Sequence, residues 1–556
     1  MIFFRNEAYF CFITKKEILM RNIVLGDEAV AQGAIDAGIS GVYAYPGTPS
    51  TEITEYIINK NKSDSLGIYA NWAANEKTAI EAALGMSYAG KKSLAVMKHV
   101  GLNVAMDAFM NMGISGVNGG LVIVVADDPS MHSSQNEQDS RYLANFAKIP
   151  IVEPSNQQEA YDGVRHAFKM SEKLQLPVLL RLVTRLAHSR SLVTFNKPLE
   201  QNPIKFPENF KRFQLIPARA KPQYDILVQK QKQIRECAED SPFNKLVMGV
   251  DNSIGIIASG IAYNYLMENF EDGCPYSVLK ISQYLLPRKQ IKQIFKNSKK
   301  ILVLEDGYPF IEEKLADFFM EDTKVIGRLS GHLNRTGELN PTIVAKALGI
   351  KIEATESIPE FVEGRPPKLC DGCGHFDTFN VLNELKKDFT EHQIFGDIGC
   401  YALGALSPYH TISTLIDMGS SITMAKGAAD AGVHPSIAMI GDSTFTHSGM
   451  TGLLDCINEN TPVTIIINDN STVGMTGGQE SAALTKIKSI CLGLGVDPEH
   501  LKIITPLAKH HDENVRIVKK ELDYKGVSVI VPQRACVRIP IGRQKEIRKI
   551  LEAIDS

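Results

Sequence analysis

No apolar run in this 556-residue chain approaches the 18 or more residues of a membrane span. Charge of a single sign is missing too: 60 Lys and Arg stand against 63 Asp and Glu, a net charge of −3. That excludes the basic field expected of a nucleic-acid or anionic-membrane binder. The nine cysteines show no repeated spacing in a chain far larger than disulfide scaffolds. The cytoplasm is then the natural compartment, where clustered cysteines point to metal or redox work. A secretory leader is missing as well. Residues 1–19 are apolar and aromatic, but Arg5, Glu7, Lys15 and Lys16 interrupt them, and they lack a basic start and a small-residue cleavage site. They match nothing that follows, and Met20 reads as the natural start.

What is present is an ordinary globular composition, 44% apolar and 22% charged, and a length that suggests three or four domains. From residue 24 to about 193 the pattern alternates helix and strand. Helices are expected over 28–37 and 75–88, and strands over 41–45, 93–97 and 121–126. The turn at 46–50 is expected to cap the helix beyond it. Residues 194–246 turn charged and rich in Pro and Lys and read as a linker with a surface helix around 225–235. A second α/β unit follows, with strands at 254–258, 277–279 and 300–304 and a helix reaching 267. It carries no catalytic constellation and reads as scaffold. Residues 356–367 form a connector into a third unit.

That third unit holds the stretch around which the chain is organised, residues 441–479: G-D-S-T-F-T-H-S-G-M-T-G-L-L-D-C-I-N-E-N-T-P-V-T-I-I-I-N-D-N-S-T-V-G-M-T-G-G-Q. A buried strand at 436–440 ends at Gly441-Asp442, where open α/β sheets place their ligands. A helix over 449–459 and a strand over 463–467 return the chain, delivering Asn468-Asp469-Asn470 to the same sheet edge. Mg²⁺ takes octahedral oxygen ligands, commonly one or two carboxylates plus phosphate oxygens. Asp442 can offer a carboxylate, Asn470 an amide carbonyl and Thr472 a backbone carbonyl. Gly441, Gly474, Gly477 and Gly478 would let the backbone approach a diphosphate. The plain alternative is a βαβ unit with glycine turns.

The G-D-S to N-D-N pattern resembles the diphosphate-binding motif of thiamine-diphosphate enzymes, and its T-G-G-Q tail resembles the 2-oxoacid:ferredoxin oxidoreductase group. Y-P-G-T-P-S (45–50), N-E-K-T-A-I-E (75–81), M-K-H-V-G-L-N (97–103), V-A-D-D-P-S-M-H-S-S-Q-N-E-Q-D-S-R (125–141), L-C-D-G-C-G-H (369–375) and G-D-I-G-C-Y-A-L-G (396–404) are similar to the large subunit of indolepyruvate:ferredoxin oxidoreductases. The likeness runs from about Met20 to about Arg538.

It implies an α/β chain of three doubly wound parallel-sheet domains: pyrimidine-binding (20–200), transketolase C-terminal-like (247–355, after a linker at 201–246) and diphosphate-binding (356–556). It makes Glu76 the carboxylate that shifts the aminopyrimidine to its imino tautomer, against the plainer reading of an acid at a helix start. Thr48 and Asn103 then line the pocket. Tyr45, Pro46, Gly47, Gly399, Tyr401, Asp417, Gly419, Ser420, Gly441, Asp442, Ser443, Thr444, Asn470, Thr472, Gly474, Met475 and Thr476 surround the cofactor.

Cys370 and Cys373, with Cys400 and Cys536, could hold zinc, or be plain buried thiols. The resemblance implies a [4Fe–4S] cluster beside the thiamine, which needs four thiolates. His132 could face substrate, while His375 and His447 flank motifs; each also suits a structural role. Met475 stands where the pyruvate-specific branch carries asparagine, which points to an aromatic substrate.

The activity implied is oxidative decarboxylation of an arylpyruvate. Coenzyme A takes the acyl group, and ferredoxin or another cluster-bearing partner takes the electrons. A small second subunit completes a hetero-oligomer. The family's usual large subunit continues into a tail with two cysteine-rich motifs that this sequence, ending at Ser556, does not carry, so electrons are expected to leave through a partner. Rival readings are a non-oxidative decarboxylase and a non-catalytic subunit keeping the fold.

Overall fold

The computed structural model describes residues 21–316, 324–352, 361–362, 364, 367–387 and 389–555. The proposed extension at 1–19 and most of the connector at 356–367 lie outside them. Three main sheets organise these residues, each predominantly or wholly parallel.

The first sheet has seven strands, in the order Gln283–Tyr284, Ile151–Val152, Val178–Val183, Leu121–Asp127, Ser93–Lys98, Gly41–Ala44 and Tyr69–Trp72. Leu121–Asp127 is buried along its whole length. Side-chain alternation sends Val122, Val124 and Ala126 into one apolar core and Leu121, Ile123 and Val125 into the other. A strand dressed on both faces reads as a continuous apolar run, which is why its position was legible in the sequence. The edge pair is a different matter. Gln283–Tyr284 comes from the middle of the chain and pairs antiparallel with Ile151–Val152, a join that periodicity cannot reveal.

The middle sheet has five strands, Lys324–Ile326, Lys300–Leu304, Asp251–Ser259, Tyr276–Ile281 and Lys245–Val247. The last pairs antiparallel and belongs to a stretch expected to be linker. The surface helix expected near 225–235 spans Pro217–Glu239 and buries Leu227, Ile234 and Ala238. Both apolar cores of the first sheet continue into the middle one, through Ile256 and Ala258 on one face and Ile257 on the other.

The third sheet is fully parallel, six strands in the order Thr414–Leu415, Ile394–Gly396, Ser436–Gly441, Val463–Asn468, Ser528–Pro532 and Leu501–Ile504. Ser436–Gly441 pairs in register with Val463–Asn468, so that Gly441 lies opposite Asn468. This register brings the G-D-S and N-D-N turns to one edge, as their spacing suggests. The helix between them differs from expectation. It begins at once with Asp442–Thr444, continues through a π-turn at Phe445–Gly449, and becomes regular at Met450–Glu459. Single π-turns widen a helix and are frequent at functional sites.

Candidate active site

A cavity of about 420 Å³ lies between the carboxyl ends of the first and third sheets. Tyr45, Pro46, Gly47, Thr48, Glu76 and Asn103 line one side. Gly399, Tyr401, Asp417, Gly441, Asp442, Ser443, Thr444, Asn470, Thr472, Gly474, Met475 and Thr476 line the other. Gly419 and Ser420 stand outside this lining. The Gly419 amide donates to Asp397 Oδ2 at 3.1 Å, and the Ser420 hydroxyl donates to the Asp417 carbonyl at 2.8 Å. They shape the turn from behind. Gly477 and Gly478 also miss the cavity wall; with φ of 130° and 93° they make a turn closed to most side chains. That turn aims Gln479 at the first sheet's unit, where its amide donates to Glu55 Oε1 at 2.5 Å.

Glu76 opens the helix Glu76–Tyr88, with Asn75 as N-cap accepting the Thr78 amide. Its carboxylate is 5% exposed, and Oε2 meets His447 Nε2 at 2.8 Å. Asn75 also donates to the His447 carbonyl at 3.0 Å. Tyr45 packs edge-on against the His447 ring, centroids 4.8 Å apart. The π-turn carries His447 inward to this position, a placement the sequence left open. Gly101 makes room on the other flank, since a β-carbon there would lie 2.6 Å from Glu76 Oε1.

Lys98 lines the same cavity and was not singled out from the sequence. It sits at the carboxyl end of strand Ser93–Lys98 and donates to the Ser133 carbonyl at 3.1 Å; burial pulls its pKa down. Its position inside M-K-H-V-G-L-N was the available signal.

Among the described residues, two buried side-chain polar atoms on the cavity lack a protein partner. The Tyr45 hydroxyl is one, and Asp442 Oδ2 is the other. Burial, then the neighbouring Asp469 carboxylate, drives the Asp442 carboxyl well above its ordinary range. Asp469 is itself engaged, accepting from the Ser471 amide and from Gln533. Asn470 accepts the Thr472 amide at 3.1 Å and keeps its side chain on the cavity wall. An unpartnered carboxylate oxygen beside an amide carbonyl is the donor set a Mg²⁺–diphosphate would satisfy. The residues fit that group.

Cys400 borders this cavity and also a smaller one of about 70 Å³ that Cys370, Cys373 and Cys536 share with it. The Cys536 amide donates to the Asn470 carbonyl at 2.9 Å, fastening the cysteine turn to the N-D-N loop. Burial, then the neighbouring thiols, pushes the Cys400 thiol up to about 12.

His132 lies elsewhere, half-exposed and 3.1 Å from Glu338. His375 is buried on the wall of the cysteine cavity, where burial lowers its pKa to about 4. The turn at 46–50 does not cap its helix through Ser50. The Ser50 hydroxyl donates to the Gly47 carbonyl, and Thr51 accepts the Gly47 amide.

Residues 32–234 match a family described as pyruvate flavodoxin/ferredoxin oxidoreductase, thiamine diP-bdg. Residues 397–531 match thiamine pyrophosphate enzyme, C-terminal TPP binding domain. The two matched segments face each other across the cavity, and the chain is a thiamine-diphosphate-dependent 2-oxoacid oxidoreductase. Indolepyruvate oxidoreductase subunit IorA of Archaeoglobus fulgidus is 36% identical over 92% of this chain and 86% of its own length. The subunit of the same name from Pyrococcus abyssi is 36% identical over 95% and 88%. The chain belongs to this indolepyruvate oxidoreductase IorA family. A solved 2-oxoglutarate:ferredoxin oxidoreductase from Magnetococcus marinus aligns with 59% of this chain and 65% of its own at 17% identity and a TM-score of 0.49. Among the described residues no helix is long and apolar enough to cross a membrane.

Proposed function

We propose that this chain oxidatively decarboxylates an aryl 2-oxoacid of the indolepyruvate or phenylpyruvate type. The products are CO₂ and an acyl group taken by coenzyme A, and the two electrons go to ferredoxin or a cluster-bearing partner. The observation that carries the aryl reading is the cavity rim. Met418, Met475, Val100, Val104 and Val473 line it, with Met475 57% exposed and open to cover by a flat apolar ring. The relatives' names agree with it.

Bound thiamine diphosphate would supply a carbon nucleophile and a sink for the electrons left by CO₂. The chain's own groups then have distinct tasks. Glu76 holds a proton on the aminopyrimidine ring nitrogen, and His447 fixes Glu76 Oε2 so that the carboxylate cannot rotate away. Asp442, Asn470 and the Thr472 carbonyl hold Mg²⁺ against the diphosphate. Thr48, Asn103 and Lys98 offer polar groups to the substrate end. Cys370, Cys373, Cys400 and Cys536 would hold a [4Fe–4S] cluster, which would supply a one-electron acceptor beside the cavity. A small second subunit completes the coenzyme A and electron-transfer machinery of a cytoplasmic hetero-oligomer.

The test is a panel of 2-oxoacids assayed anaerobically with coenzyme A and ferredoxin, alongside metal analysis. We expect kcat/KM for phenylpyruvate or indolepyruvate to exceed that for pyruvate by roughly tenfold or more, the scale of one apolar pocket contact. Reconstituted protein should hold about four irons per chain, falling sharply in Cys373→Ala. A preference for pyruvate overturns the aryl assignment, zinc in place of iron overturns the cluster, and aldehyde as product favours a non-oxidative decarboxylase.

A further inference from the structure

Asp27, Glu52 and His188 converge outside the lining of both the cysteine cavity and the larger one, each from a different helix. Asp27 lies in the first turn of Gly26–Asp36, Glu52 in the first turn of Thr51–Asp64, and His188 ends Thr184–His188. Gly26 forces the meeting. A β-carbon there would stand 2.1 Å from the Leu186 carbonyl, so the first helix begins directly on the last turn of the third. One ligand-capable atom from each residue lies within 4.8 Å of the other two. His188 Nε2 is 3.5 Å from Glu52 Oε1.

The unusual partner is Asp27. Its side chain is 0% exposed, and among the described residues no N–H or hydroxyl donor reaches either carboxylate oxygen; its close polar neighbour is the Glu52 carboxyl. Glu52 Oε2 is buried without a partner as well. Of the four carboxylate oxygens in the pair, only Glu52 Oε1 has a neighbour in the imidazole. Helix N-termini favour nearby acids, but that effect leaves no reason for two carboxylates to turn toward each other and an imidazole. A cation or a shared proton between them would.

We propose that Asp27, Glu52 and His188 form a structural site for a divalent first-row transition ion, with Zn²⁺ as the ion best matched to two carboxylates and one imidazole. Zinc binds such oxygens and nitrogens at about 2.0–2.2 Å, so the observed spread closes onto one ion with small side-chain shifts. Glu52 and His188 are each about one-third exposed at 37% and 35%, which leaves an entry path and room for a water ligand. The rival occupant is a proton shared by the two acids; burial, then the Glu52 charge, raises the Asp27 pKa, so an ion binding there must displace that proton.

The site has a structural consequence for the cavity. Helix Thr51–Asp64 also carries Glu55, the residue bonded to Gln479 across the interface. An ion at Glu52 would anchor that helix to two others at its first turn, just after the Tyr45–Thr48 segment on the cavity wall.

The experiment loads the full chain, with thiamine diphosphate and Mg²⁺ bound, with Zn²⁺ and counts retained zinc in wild type, Asp27→Asn and His188→Ala. Zinc held by cysteines is common to all three and cancels in the comparison. We expect about one zinc fewer per chain in both variants. We also expect chelation to lower the wild-type Tm further than that of His188→Ala, because a ligand bound only by the native state stabilises it and the variant has one such ion fewer to lose. His188→Ala alters a partly exposed residue and keeps the test decisive should Asp27→Asn fail to fold. Equal zinc in wild type and His188→Ala overturns the proposal, as does a fall in Tm on chelation that is the same for both.

Discussion

Glu76 and His447 lie 371 positions apart in the chain and share a 2.8 Å hydrogen bond. The consequence at this scale is a carboxylate with one oxygen held and the other left against Gly101 on the cavity wall. In Glu76→Gln the amide keeps the size but cannot take up the proton, so C2 proton exchange followed by NMR should slow by roughly 10²–10⁴ while cofactor affinity stays near normal. Unaltered exchange would remove Glu76 from the chemistry.

Asp397 offers a test through pH. Burial raises its carboxyl pKa to about 7, although Tyr401, Ser421 and the Gly419 amide all donate to it and pull the other way. The folded state therefore keeps a proton that the unfolded chain releases near the usual carboxylate pKa of about 4. Between those values the folded chain binds more protons, so this group lowers stability progressively as pH rises from about 4 to about 7, and by a constant amount above. Asp397→Asn should lack that slope. Urea melts of both proteins at pH 5 and pH 8 should show the variant gaining on wild type by a few kcal/mol at the higher pH. A constant gap between the two curves would contradict the assignment.

At the scale of elements, the strand Ser436–Gly441 and the helical segment after it do the positioning. Asp442 follows the strand without a loop, and the π-turn at Phe445–Gly449 places His447 while the helix keeps its direction. Asp442→Ala removes the unpartnered buried oxygen, so isothermal titration should lose Mg²⁺-dependent thiamine-diphosphate binding while circular dichroism stays native. The short helix His99–Val104 carries Gly101 against Glu76. Gly101→Ala puts a methyl where 2.6 Å separates it from Glu76 Cγ and Oε1, and a crowded buried site gives way at a cost of about 1–3 kcal/mol. Turnover should fall far more than Tm, because the group displaced is the carboxylate. Retention of full activity would mean that the helix adjusts without moving Glu76.

Across the whole molecule, buried charge joins the first and middle sheets. Arg141 bonds Asp139 at 2.5 Å and Glu305 at 2.9 Å, and Arg181 bonds Asp127 at 2.6 Å and also reaches Glu153. Both guanidinium groups are fully buried, so each network member depends on its partners to offset desolvation. Arg141→Ala removes the closest cation from both Asp139, which keeps Arg181 at 3.6 Å, and Glu305, and should cost about 3–5 kcal/mol in chemical denaturation. Loss of less than about 1 kcal/mol would show that water reaches the site. The first and third sheets meet through slimmer polar links, Glu55 with Gln479 and Asn75 with the His447 carbonyl.

The sequence by itself determined the local parts. Apolar runs of four to eight residues ending in Gly-Asp or Asn-Asp-Asn marked the strands and their ligand-bearing turns, because strand length, burial and turn chemistry are properties of neighbouring residues. Asp442 and Asn470 were placed at one sheet edge on those terms, and Glu76 at the start of a helix. Only the tertiary structure decided what faces what. It set His447 on Glu76, drew Lys98 and Gly101 into the wall, and withdrew Gly419, Ser420, Gly477 and Gly478 from it. It also carried Gln283–Tyr284 and Lys245–Val247 into sheets their surroundings did not suggest, and closed Asp27, Glu52 and His188 into one cluster. These are contacts between residues tens to hundreds of positions apart. They follow from how packed sheets and helices bring segment ends together, and no local periodicity encodes that.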